Sequence, residues 1–551
     1  MQAFSDLLER LILTASRNTK VELMVNYFRQ TPDPARGWTL AVLTGELDIP
    51  GVKGGSIRRL AEDRVDPELF RMSYDYVGDL AETVSLIWPS RRGANRIPPM
   101  EDVIEALLGA TRPEGERLVA GWLDMLEPPQ RWALIKMVTG GLRIGVSARL
   151  TKVALAEMGG VEPAEIEEIW HGLAPPNESL FAWLDGDAEK PSPDIKAPFR
   201  PVMLAHPLVT KDKRDDPDAI DPAMIDPSIF ATEWKYDGIR VQAVSERGVR
   251  RIYTRTGDDI SHTFPDVLAA MDFEAAIDGE LLIRAPNGEV APFNELQQRL
   301  NRKTVTRKQM EARPAMIRAY DILVEGGEDL RTLPFSERRK RLETFVERTG
   351  SDRIDLSPLV PVTSLDALEA ARNDPPAPEI EGLMLKRWDS VYEAGRPTGP
   401  WWKWKRDPFL VDAVMMYAQR GHGRRSSFHS DFTFGVWREG EDGEDELTPV
   451  GKAYFGFTDE ELKQLDKFVR ENTVDRFGPV RAVTANKEKG LVLEVAFEGL
   501  QRSPRHKSGL AMRFPRVNRI RWDKPSAEAD RLETLEKMLP ADPLFGKSSP
   551  A

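Results

Sequence analysis

The spacing of apolar positions changes character twice along the chain. Over residues 1–180 apolar residues recur every three or four positions. Phe4, Leu7, Leu8, Leu11 and Leu13 form one such series, and Val103, Ile104, Leu107 and Leu108 another. That period matches one face of an α-helix, so an all-helical region is expected. The stretch 185–201 is rich in proline and aspartate and reads as an interdomain linker. From about 229, short strand-like runs replace the helical period: Phe230–Trp234, Val241–Val244, Arg250–Thr254, Ala276–Ile283, Ala315–Leu323, Gly382–Arg387 and Trp401–Lys405. An amphipathic helix is expected at Glu337–Glu347, so this region is α+β. After Asp407-Pro408 come Val411–Tyr417, Phe432–Val436, Pro449–Tyr454, Val480–Thr484 and Leu491–Phe497. Short strands with glycine-rich turns suit a small β-barrel. A charged helix is expected at Ala527–Met538, and no internal repeat is found.

Length and charge narrow the picture. The chain has 551 residues, which at roughly 100–200 residues per domain suggests about three domains. It contains no apolar run of the roughly 18 residues that a membrane-spanning helix needs. The N-terminus shows no basic region followed by an apolar run, the mark of a secretory signal. A cytoplasmic protein without a membrane partner is expected. There are no cysteines, which excludes disulfides, thiol catalysis and Cys-ligated zinc. The net charge of −12 looks wrong for a nucleic-acid binder, but local charge matters more than the sum. Between 501 and 524 eight basic residues face Asp523 alone, and Arg299, Arg302, Lys303, Arg307 and Lys308 form a second basic run. Either run alone also reads as a solvated face.

Candidate chemistry centres on Glu233-Trp234-Lys235-Tyr236-Asp237-Gly238-Ile239-Arg240. Glu233 and Lys235 lie two apart on a strand and point the same way. Asp237-Gly238 is a turn signal that ends the strand. A lysine placed there can enter a pocket, although a surface hairpin has the same local pattern. Glu280 and Glu381 each stand in an apolar strand, where an acid needs a cation. Two such acids suit magnesium, which is commonly held by one or two carboxylates plus substrate phosphates. In Trp401-Trp402-Lys403-Trp404-Lys405 the two lysines share one face. Such a pair suits a phosphate, or an edge strand guarded by lysines.

Taken together, this set resembles the covalent nucleotidyltransferases, and within them the ATP-dependent DNA ligases, over nearly the whole chain. Lys235, Asp237 and Gly238 match the K-x-D-G element. Tyr253–Ile260, Glu280, Ala319-Tyr320-Asp321-Ile322, Glu381–Lys386 and Trp402–Lys405 follow in family order. Arg513–Lys524 matches the final element, which ends R-x-D-K. The resemblance implies an all-α N-terminal DNA-binding domain over 1–200, an α+β nucleotidyltransferase (ATP-grasp-like ligase) core that carries adenylation over 201–406, and a C-terminal OB-fold β-barrel with its terminal helix over 407–551. The N-terminal region, with Phe497–Ser503, further resembles a bacterial subgroup encoded beside a helicase and a metallo-β-lactamase-type nuclease. That implies DNA repair, nucleoid association and those two partners. A monomer is the family expectation.

The resemblance also implies roles. Lys235 would attack the α-phosphate of ATP, transfer AMP to the 5′-phosphate of a nick in duplex DNA, and so allow the 3′-hydroxyl to seal it. Glu233 would read the adenine amino group and Tyr320 would stack on the base. Arg240 and Arg255 would meet the ribose or the nick phosphate. Lys386, Arg396, Lys403 and Lys405 would complete the nucleotide site. Glu280 and Glu381 would hold magnesium, with manganese as a substitute. Arg519, Arg521, Asp523 and Lys524 would close over ATP and orient pyrophosphate, with a hinge near Arg406–Pro408. Arg143, Arg299, Arg302 and Lys303 would contact DNA. RNA ligases and capping enzymes share the lysine chemistry, and a non-catalytic DNA-binding scaffold would need only the basic runs.

Overall fold

The computed structural model describes residues 1–539 except 78, 90–96, 141, 192–195, 210–219, 301, 303–304, 363, 422–427, 441, 479 and 504–505. Lys303 therefore lies outside the described residues. Helices succeed one another from Gln2–Leu13 to Glu178–Leu184. The first buries Phe4, Leu7, Leu8 and Leu11, the i, i+3, i+4, i+7 stripe that the sequence shows. Leu13 falls off that stripe and is exposed. Arg112–Met125 starts with Thr111 and Glu114 closing a capping box, which satisfies two otherwise unpaired backbone donors.

Contacts divide the chain into two compact units. One gathers Met1–Val161, Ala174–Pro191 and Pro408–Pro540; the other contains Glu162–Leu173 and Ser192–Asp407. Glu162–Leu173 thus joins the second unit, where the His171 ring lies 5.0 Å from that of Tyr253. The chain crosses between units at Asp407-Pro408.

The second unit is built on two sheets. A six-stranded sheet orders Val249–Thr254, Ile239–Glu246, Ala275–Ile283, Ala315–Glu325 and Glu328–Asp329, with Ile354–Leu356 parallel to Ala315–Glu325. A four-stranded sheet orders His206–Pro207, Trp401–Lys405, Ile380–Arg387 and Phe230–Tyr236. Every strand run expected in this region forms, most of them longer by a residue or two at an end. The helix Phe335–Thr349 packs on the larger sheet, and Leu342 and Phe345 are fully buried with Ile277 and Ile317.

Pro408–Pro540 forms the strand domain. Phe409–Arg420 pairs with His429–Glu439, Val480–Val483 and Val492–Phe497, and Val492–Phe497 pairs in turn with Arg516–Arg521. Three pairings of one strand curl the sheet around Phe432, Phe434, Leu493 and Val495. Two expectations change here. The helix Asp459–Asn472, capped by Thr458 and Glu461, was not anticipated. Its Leu462, Leu465 and Val469 carry a helical period that its charged surroundings obscure. The terminal helix is shorter than Ala527–Met538: a 3₁₀ turn at Ser526–Glu528 precedes a helix of Leu532–Glu536. Between them Asp530 exchanges backbone and side-chain hydrogen bonds with Asp412, and Arg531 bridges to Trp437. That backbone is extended and tied to the barrel, so it cannot be helical. Among the described residues no helix is long and apolar enough to cross a membrane.

Candidate active site

Three neighbouring strands of the four-stranded sheet carry Lys235, Glu381 and Lys405. In register, Lys235 and Lys405 both stand opposite Gly382, one from each side. Gly382 has φ +148°, and a Cβ on it would lie 2.2 Å from the Trp404 carbonyl oxygen. Only glycine fits between the two lysine strands. The pairing then jumps from Lys235–Gly382 to Tyr236–Ile380, which leaves Glu381 as the extra residue of a β-bulge. A bulge re-aims a side chain, and here the Glu381 carboxylate accepts from the Lys235 ammonium and lies 3.0 Å from Lys405 Nζ. Burial alone would raise the Glu381 carboxyl, but Lys235 and Lys405 together bring it below its ordinary value.

Glu280 comes from the larger sheet. Its approach depends on Gly238, where a Cβ would meet Glu280 Cγ at 2.7 Å. Burial pushes Glu280 up to about 7, with Glu381 adding to the effect and Lys235 opposing it. Lys403 is pushed down to about 8 by burial and by Arg396, Lys235, Lys405 and Arg255. Cations that crowd one another, beside carboxyls strained by burial, leave room for bound charge of both signs. Two carboxyls beside several cations are a donor set that suits a magnesium ion.

The other end of this sheet is dry. Glu233 is 2% exposed. Its oxygens are held by Arg339 Nη1 at 3.0 Å and Lys386 Nζ at 2.5 Å. The Lys386 ammonium also donates to the Tyr320 carbonyl and sits 4.2 Å from the Tyr320 ring centre. Burial lowers Lys386 and raises the Tyr320 hydroxyl well above its ordinary range. The Lys386 ammonium is thus committed to Glu233 and Tyr320. Arg240 is likewise engaged: it ion-pairs with buried Asp278 at 2.7 Å, meets the Tyr392 hydroxyl at 3.1 Å and donates to the Met203 carbonyl. Arg255 and Arg396 are exposed.

The four residues of the final motif lie in the barrel's unit. Arg521 pairs with Asp523 at 2.9 Å and Asp412 at 3.2 Å, Lys524 with Asp412 at 2.8 Å, and Arg519 with Glu494 at 3.5 Å. Arg521 draws Asp523 down to about 2. Of the expected DNA contacts, Arg143 and Arg302 are exposed. Arg299 is a correction. It is 1% exposed, bidentate to Asp266 at 2.7 and 2.9 Å, and donates to the Thr263 and Arg313 carbonyls. A guanidinium so enclosed has no face for a DNA phosphate.

Arg339, Asp278 and Tyr392 were missed from the sequence. A signal existed for the helix that carries Arg339. Arginines occupy positions 338 and 339 inside the apolar stripe of Phe335, Leu342 and Phe345, where an unpaired charge would be costly.

Paired sheets with charged strand ends, preceded by helices and followed by an OB-like barrel, define a multidomain nucleotidyltransferase. Three family models match the chain: DNA ligase N terminus over residues 1–156, ATP dependent DNA ligase domain over 218–405, and ATP dependent DNA ligase C terminal region over 425–524. A protein of Koribacter versatilis (strain Ellin345), described as "Probable DNA ligase", is 30% identical over 98% of this chain and 96% of its own. A DNA ligase of Thermococcus fumicolans is 30% identical over 84% of this chain and 82% of its own. The solved structure Pmar-Lig_Pre shares the fold, with a TM-score of 0.57 at 14% identity over 95% of this chain and 99% of that one. The chain belongs to the ATP-dependent DNA ligase family. It is accordingly a phosphodiester-forming enzyme that uses ATP.

Proposed function

We propose that Lys235 is the nucleophile of this ligase and that the strand ends around Gly382 form its phosphate site. The observation that carries this reading is the bulged Glu381 carboxylate gripped by Lys235 and Lys405 from the two flanking strands. The Lys235 amine attacks the α-phosphorus of ATP, a P–N bond forms and pyrophosphate leaves. The ammonium proton passes to solvent before the attack. The AMP passes to the 5′-phosphate of a nick, and the 3′-hydroxyl then displaces it to join the strands. Such transfers need mainly positioning and charge neutralisation, which Lys403, Lys405 and Arg396 supply.

Glu233 reads the adenine amino group and Tyr320 stacks on the base, with Lys386 bracing both. Arg240 and Arg255 serve the ribose or the nick phosphate. Arg519, Arg521, Asp523 and Lys524 orient pyrophosphate in the first step. Glu280 and Glu381 hold magnesium, or manganese in its place, which neutralises phosphoryl charge when bound. Arg143 and Arg302 contact the duplex through phosphates, which position it without reading sequence. The setting is DNA repair at the bacterial nucleoid, in a monomer working beside a helicase and a metallo-β-lactamase-type nuclease.

Labelled ATP, GTP and NAD offered to wild type and Lys235→Ala test the core of this reading. Label taken from ATP alone, lost in the variant and followed by sealing of a nicked duplex, supports it. Label from GTP would favour a capping enzyme. Folded protein that takes no label with magnesium present would instead be a DNA-binding scaffold.

A further inference from the structure

We infer that Arg339 is a specificity-positioning residue: it aims the Glu233 carboxylate so that this ligase accepts adenine and rejects a purine with an oxo group at C6. The inference rests on the reading of Glu233 as the adenine reader. Arg339 lies on Phe335–Thr349, 106 residues along the chain from Glu233, and is 4% exposed. Each of its three guanidinium nitrogens donates a hydrogen bond. Nη1 donates to Glu233 Oε1 at 3.0 Å, Nη2 to the Ser357 carbonyl at 2.8 Å, and Nε to Glu343 Oε1 at 2.7 Å. The Ser357 and Glu343 contacts fix the plane of the guanidinium, and the planar fork then fixes the Glu233 oxygen it holds. Lys386 Nζ holds the other oxygen at 2.5 Å.

The neighbouring Arg338 does the same for Asp321, beside the base-stacking Tyr320, with bonds of 2.8 and 3.0 Å and 0% exposure on both side chains. One helix turn therefore holds two buried acids at the base end of the site. A carboxylate accepts hydrogen bonds. Adenine offers it an amino donor at C6, whereas hypoxanthine offers an oxo acceptor and is repelled. The discrimination is only as sharp as the carboxylate is still, because a rotated Glu233 reaches neither group. Glu233 has two ways to move: about its own side-chain torsions, or with the strand. Arg339 and Lys386 block the first, and the strand pairing of Phe230–Tyr236 blocks the second.

The test is the ratio of kcat/KM for lysyl-nucleotide formation with ATP and with inosine triphosphate, measured on the full chain with thermal melting alongside. Wild type, Glu233→Gln, Arg339→Lys, Arg339→Ala and Glu343→Ala are compared. Glu343 is half exposed at 45% of its side chain, so Glu343→Ala loosens the guanidinium without emptying the core. It decides the matter if Arg339→Ala does not fold. The expected result is an ATP preference reduced about ten-fold or more in Arg339→Ala, less in Arg339→Lys and least in Glu343→Ala. KM for ATP should rise while kcat at saturation changes less. Glu233→Gln losing its preference while folded Arg339 and Glu343 variants keep the wild-type ratio would overturn the positioning role. Glu233→Gln retaining the full preference would instead remove the adenine reader itself, and this inference with it.

Discussion

At the Glu233 end of the proposed nucleotide site each acid is matched by buried cations: Glu233 with Arg339 and Lys386, and Asp321 with Arg338. At the Lys235 end the cations outnumber the acids, the side chains are partly exposed, between 21% and 40%, and one carboxylate serves two lysines. The first end is preorganised and dry; the second is more open, and its lysines and arginines crowd one another around Lys403. Fixed, desolvated partners suit recognition of a neutral base, because the geometry is set before binding. Crowded cations suit a polyanion, whose charge relieves repulsion that folding has left in place. Substitutions at the two ends should therefore fail differently: chemistry should be lost at the wet end and stability at the dry end.

The largest effect is expected at Lys235. Lys235→Ala should lower the rate of lysyl-AMP formation by about four orders of magnitude or more, as loss of a nucleophile does elsewhere. Its side chain is 21% exposed, and no packed core depends on it, so the melting temperature should shift by only a few degrees. A large drop in melting temperature would show that the wet end also holds the fold together and would erase the contrast.

Arg338→Ala should behave in the opposite way. It leaves Asp321 buried without its ion-pair partner, which costs about 3–5 kcal/mol for a fully buried pair. Denaturant unfolding should show the loss, whereas the surviving folded fraction should still take label on Lys235. Replacing both members, Arg338→Met with Asp321→Asn, should recover much of the stability, since the uncompensated charge is then gone.

How much of this division could be read from the sequence follows from where the partners lie. Lys235, Glu381 and Lys405 stand in or beside runs that the sequence marks as strands, so the strands were legible although their pairing into one sheet was not. The bulge at Glu381 was not, because it is a property of pairing between strands 146 residues apart along the chain. The dry end was half legible. Glu233 and Tyr320 stood out, but Arg339 looked like any charge on an amphipathic helix until Ser357 and Glu233 folded over it. Arg299 misled for a related reason. Basic residues in a run look alike, and only tertiary structure turns one of them toward Asp266. That difference is measurable. Arg299→Ala should destabilise the fold by about 3 kcal/mol. Arg302→Ala should leave stability alone and reduce the salt dependence of DNA binding by about one phosphate contact. Equal effects on DNA affinity from both would restore Arg299 to the DNA surface.

The smallest expected effect sharpens the wet end by pH. Lys403 is pushed down to about 8 by burial and by its cationic neighbours, so the nucleotide-free site loses that positive charge as pH rises through about 8. Below this pH the ammonium is present and ready for the triphosphate. Above it, ATP binding must take up a proton, and each further pH unit weakens binding by up to about ten-fold. KM for ATP in lysyl-AMP formation should thus climb between about pH 8 and the value to which bound phosphate raises Lys403, then level off. Lys403→Arg keeps the cation over this range because a guanidinium does not titrate there, so its KM should stay flat even if higher at pH 7. A parallel rise in both proteins would place the titrating group elsewhere. A rise in wild type alone would tie the open, repulsive character of this end to one lysine, in contrast to the base end, where the acids already hold their cations.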